Sequence, residues 1–108
     1  MKQIEIINKL KDDISYKAYR ATCCDELKDL NFDVGMMEWH AAIYKGEAFE
    51  AIELLNWITG SQKGDELFEK AEEEARQDIK AANYDLVKIL NMAGFDGEAY
   101  YEANKMYA

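Results

Sequence analysis

The sequence predicts an all-α fold of about five helices in a single domain. Three observations predict it. None of the 108 residues is proline and only six are glycine, so long stretches carry no helix breaker. Apolar residues recur every three or four positions through most of the chain, the period of one helix face. Outside residues 2–6, apolar and polar residues alternate over no more than four or five positions, which leaves little for a half-buried strand. At 49% apolar the chain has material for one core, and its length fits one domain spanning 1–108.

The first segment, residues 2 to about 30, contains neither glycine nor proline. Ile4, Ile7, Leu10, Ile14, Ala18 and Ala21 fall on one helical face, whereas Tyr16, Tyr19, Cys23, Leu27 and Leu30 fall on nearly the opposite one. That split requires either a break between about 12 and 22, with Asp13 or Ser15 as N-cap, or cover on both sides. The expectation is a break or an abrupt change of packing partner. Asn31-Phe32-Asp33 reads as a turn, with Asp33 capping a helix over 34–45 that carries Met37, Ala41 and Tyr44 on one stripe. Gly46 is placed to end that helix. A helix over 47–58 then turns Phe49, Ile52, Leu55 and Ile58 inward, and Gly60-Ser61-Gln62-Lys63-Gly64 is a loop.

Asp65 is expected to cap the longest helix, about 66–93, in which Leu67, Ala71, Ala75, Ile79, Ala82, Leu86, Leu90 and Ala93 keep the helical period. At 1.5 Å per residue this is a rod of roughly 40 Å. Gly94 stops it, Phe95 supplies the apolar contact that accompanies such a stop, and Asp96 caps a short final helix from which Tyr100, Ala103 and Tyr107 pack back.

The chain carries 13 basic and 22 acidic side chains, a formal charge of −9. That balance argues against direct nucleic-acid binding and against an anionic membrane surface. The charge is uneven: residues 65–108 hold eleven of the acids and five of the bases. Glu66–Lys70 and Glu72–Arg76 are ordinary i,i+4 pairs, but Glu69–Glu73 and Glu74–Asp78 place like charges at that spacing and cost a few tenths of a kcal/mol. The carboxylates at 69, 73, 74, 78 and 85, with Glu98 and Glu102 on the last helix, are therefore expected to form several turns of negative surface. Two readings fit: a solvated face kept for solubility, or an anionic face shaped for a basic groove.

No apolar run reaches the length of a membrane span, and the start of the chain lacks the apolar core of a secretory leader. The neighbours Cys23 and Cys24 point about 100° apart on a helix, so reduced structural thiols in a cytoplasmic protein are the expectation. No Glu-x-x-His, calcium loop, P-loop or dinucleotide fingerprint is present, and the one histidine, His40, lies two residues from Glu38, the wrong spacing for a shared helical face. Catalytic residues, cofactor and metal ligands are accordingly not assigned. His40 reads as a half-buried residue at a helix seam.

In size, charge and its Tyr-plus-Glu helices, for example Glu98-Ala99-Tyr100-Tyr101-Glu102, the chain resembles the small acidic inhibitor proteins of phages and mobile elements. These are the anti-CRISPR and anti-restriction proteins, several of which mimic DNA. The resemblance implies a cytoplasmic protein of the host cell that occupies the basic, nucleic-acid-binding surface of a defence enzyme. The residues expected to make that contact are Glu69, Glu73, Glu74, Asp78, Glu98 and Tyr101. The alternative is a helical adaptor or regulator working through an apolar partner interface or homodimer, with the split stripe of residues 2–30 as its contact face.

Overall fold

A computed structural model describes residues 2–104. Within them are five helices and no strand: α1 (Lys2–Asp29), α2 (Val34–Thr59), α3 (Lys63–Ala81), α4 (Leu86–Met92) and α5 (Gly97–Asn104). The all-α, five-helix class is as expected, but the helices are divided differently. α1 is the central rod of a body measuring 49 × 24 × 21 Å. α2 packs along one side of it, while α3 and then α4 cover another, and α5 packs on α4.

α1 does not break between 12 and 22; it runs unbroken for 28 residues. Its stripe changes face because its partners change. Toward the N-terminal end Ile14 packs with Ile52 and Leu55 of α2, with Leu67 and Phe68 of α3 beside them. Toward the C-terminal end Cys23, Cys24 and Leu27 join Met37, Ile79, Ile89 and Leu90. Cover on both sides, rather than a bend, satisfies the two apolar faces.

Gly46 does not end a helix either. α2 continues through it to Thr59, with Ala41, Ala48, Ile52 and Leu55 buried on either side of the glycine. A mid-helix glycine costs about 1 kcal/mol relative to alanine, less than this burial returns. Ion pairs from Lys17 to Glu47 and from Lys45 to Asp25 also tie α2 to α1 on both sides of the position.

The single helix over 66–93 is two helices. α3 stops at Ala81, where the Tyr84 N–H donates to the Ile79 carbonyl at 3.1 Å and the Asn83 N–H donates to the Lys80 carbonyl at 3.0 Å. This is a Schellman end, with Asn83 at φ 54° and Tyr84 at φ 57°. Asp85 then caps α4 by accepting from the Lys88 N–H at 3.0 Å. α1 ends the same way: Phe32 N–H donates to the Leu27 carbonyl and Asn31 N–H to the Lys28 carbonyl, both at 2.9 Å. α4 ends as expected, with Gly94 at φ 97° and the Phe95 N–H on the Leu90 carbonyl at 3.0 Å.

Two expected caps are replaced. Asp33 stands before α2 in a left-handed conformation and caps nothing with its side chain; its carboxylate accepts instead from the Tyr100 hydroxyl. Asp65 lies inside α3, which begins two residues earlier. Asn56 of α2 holds that entry, accepting from the Gly64 N–H at 2.9 Å and donating to Asp65 at 2.8 Å. Asp96 does cap α5, accepting from the Ala99 N–H at 3.3 Å. Tyr107, expected to pack back, lies outside the described residues.

Candidate protein-interaction surfaces

α3 is sharply two-faced. Gly64, Ala71, Ala75 and Ile79 are buried against α1 and α2, and a 3.6-residue period then turns Glu69, Glu73 and Lys80 outward. Glu69, Glu73, Glu74 and Asp78 are all exposed and span about 14 Å of helix axis. Glu69 and Glu74 have no hydrogen-bond or ion-pair partner among the described residues, and Glu73 accepts only from Gln77 one turn on, at 3.1 Å. Asp78 is different. It accepts from the Tyr19 hydroxyl of α1 at 2.6 Å, so part of its role is to join α3 to α1. Burial, then this hydrogen bond, holds the Tyr19 hydroxyl well above the usual tyrosine range. Asp85 is likewise occupied as a cap.

Glu98 is exposed in the first turn of α5, where the helix dipole favours an anion. α5 packs chiefly on α4, and the four α3 carboxylates divide between two sides of their helix, Glu69 with Glu73 and Glu74 with Asp78. Tyr101 is not a free contact residue. It is half-buried and stacks on the buried Phe32 ring at 5.9 Å and 8°. Tyr100 is also half-buried, donating to Asp33 and lying 4.8 Å from the Phe95 ring. Tyr100 packs back as expected, and Tyr101, expected at a partner contact, packs with it: both seat α5 on the Phe32 corner.

The stripe of residues 2–30 is not an open interface in its central and C-terminal parts, since Ile14, Ala18, Ala21, Cys23 and Leu27 are wholly or almost wholly buried. The exposed apolar surface that sequence reasoning missed lies on α2, where Met36, Trp39, Ile43, Leu54 and Trp57 face solvent. The signal was present: α2 bears apolar residues on more than one of its sides, and only one of its sides can pack on α1.

A cleft of about 470 Å³ lies where α1, α2 and α3 converge, lined by Asp25, Glu26, Lys45, Glu72, Arg76 and Tyr84 among others. Four of its charges pair with one another, Lys45 with Asp25 at 2.6 Å and Arg76 with Glu72 at 3.7 Å. His40 sits at a helix seam, its ring 5.0 Å from both Trp39 and Phe95. Cys23 and Cys24 are free and fully buried, and burial pushes both thiols up to about 12. No group of three or more His, Cys, Asp or Glu among the described residues is placed to hold a metal ion. No described helix is long and apolar enough to cross a membrane.

No protein-family model, curated protein or solved structure matches this chain.

Proposed function

We propose that this is a non-catalytic acidic binding protein that inhibits a nucleic-acid-binding enzyme of host defence, of the anti-CRISPR or anti-restriction kind. In this reading the carboxylate face of α3 occupies the enzyme's basic surface. The observation that supports it is a division of labour among the acids. Asp25, Asp33, Glu47, Asp65, Asp85 and Asp96 each have a structural partner. Glu69, Glu73 and Glu74 lie exposed within two turns of α3 and bond to no other element. Carboxylates that hold nothing in the fold together are free to meet the lysines and arginines that otherwise take phosphates, with steered association and strong salt dependence as the consequence.

The test is capture from nuclease-treated host lysate by the wild-type chain and by a Glu69→Lys, Glu73→Lys double variant. The expected result is a nucleic-acid enzyme that is released by salt, is displaced by added DNA, and binds the variant at least about tenfold more weakly. Helicity should not change, because both side chains point away from the core. Equal capture by the two proteins would refute the reading.

A further inference from the structure

α2 bears apolar residues on more than one of its sides, and the sides that pack on α1, on the start of α3 and, through Met37 and His40, on the α4 region leave others uncovered. Its remaining side carries Met36, Trp39, Ile43, Leu54 and Trp57, which are 46%, 55%, 38%, 44% and 81% exposed. On a 3.6-residue helix these five positions fall within one narrow stripe and run about 31 Å along the axis. The stripe is apolar at its two ends, Met36, Trp39 and Ile43 before the exposed Gly46 and Leu54 and Trp57 after the exposed Glu50. Exposed apolar side chains grouped in this way mark an interaction site, and an indole left four-fifths in water is the type of side chain that anchors one.

We propose that this face is the interface of a homodimer in which two α2 helices pack antiparallel about a two-fold axis near Gly46. The area is the first argument. With roughly 200–250 Å² for a fully exposed large side chain, the five exposures amount to roughly 600 Å² per copy. Standard stable interfaces bury about 800 Å² per partner, so the five side chains supply most of such an interface, with the exposed Ala42, Gly46 and Glu50 between its ends. Gly46 is the second argument. A Cβ there would meet nothing within 4 Å, so the midpoint of the stripe is open and lets two backbones approach closely. Charge sets the direction. Glu50 is exposed within the stripe, and a parallel in-register pair would set it against its own copy. The antiparallel pair sets Glu50 near Ile43 of the second copy, and brings Trp57 and Leu54 against Met36 and Trp39. A two-fold axis requires such self-complementarity. This inference does not depend on the acidic face, which lies on another helix.

The experiment is sedimentation velocity over a concentration series of the wild type, a Trp57→Glu variant and an Ile43→Glu variant, with circular dichroism of each. The wild type should dimerise in the micromolar range, and each substitution should weaken the dimer at least about thirtyfold while leaving the helical spectrum intact. Register is read by oxidation of Gly46→Cys and Gly35→Cys variants: the antiparallel pair cross-links the first and not the second. A wild type that stays monomeric at millimolar concentration overturns the dimer and assigns the face to a different protein. Cross-linking through Gly35→Cys overturns the antiparallel arrangement.

Discussion

Gly97 opens α5 at the point where that helix crosses α4, and a Gly97→Ala substitution measures how tightly the two are joined. An added Cβ would sit 2.4 Å from the Val87 carbonyl oxygen and 2.7 Å from Asn91 Oδ1. The first of these is backbone and cannot rotate away, so α5 must withdraw by the better part of an ångström. Withdrawal breaks the 2.7 Å hydrogen bond from the Gly97 N–H to Asn91 Oδ1, a loss of about 1 kcal/mol. Overpacking of this kind adds about 1–3 kcal/mol. Against both stands a gain of up to about 1 kcal/mol from the better helix propensity of alanine. The balance is a loss of about 1–3 kcal/mol, which in a domain near this size lowers the midpoint of thermal unfolding by about 5–20 °C. Loosening should also reach Tyr100 and Tyr101, which hold α5 against Asp33 and Phe32. Thermal unfolding followed by circular dichroism gives the first number, and native-state hydrogen exchange of the α5 amides gives the second. An unchanged or raised midpoint would refute the close α4–α5 crossing.

Two further predictions rest on the core and on the α3 entry. The thiols of Cys23 and Cys24 should resist a soluble disulfide reagent in the native protein and react on unfolding, because burial disfavours the thiolate. Their pKa is raised from an ordinary 9.0 to about 12, so the native state is favoured in full below about 9 and loses that advantage as pH rises toward 12. Tyr19 and Tyr100 are raised in the same direction and add to the loss. Urea midpoints that are equal at pH about 8 and about 10.5 would contradict this. Asn56→Ala removes both bonds that hold the start of α3 and should cost about 1–2 kcal/mol, read as a lower urea midpoint at unchanged m-value.

Glycine and asparagine show where helix ends can be read from residues alone. Gly94 with Phe95, and Gly60, announce their stops because glycine takes a positive φ without steric cost. Asn31 and Asn83 do the same work at φ 61° and 54°, but asparagine also occurs within helices, so the end of α3 was invisible in an otherwise regular apolar period. Gly46 misleads in the opposite direction: its local preference to break is overridden by α1 packed along both halves of α2. The same logic governs the surfaces. Glu69, Glu73, Glu74 and Asp78 were legible as an outward group because period and charge are local properties. Tyr101 was misjudged because only the position of Phe32, 69 residues away in the chain, determines that its ring is covered.

What the sequence determined by itself is therefore what depends on near neighbours: an all-helical class, most of its inward apolar periods, the cap at Asp96, and an acidic α3. Tertiary structure decided which helices fuse and which divide, that α1 is sandwiched rather than bent, and which of two apolar faces on α2 is left open. Those outcomes turn on burial, and burial is a property of the partner that arrives as much as of the residue that waits. A stripe on α1 and a stripe on α2 look alike in sequence; they differ only in that α3 and α4 reach the first.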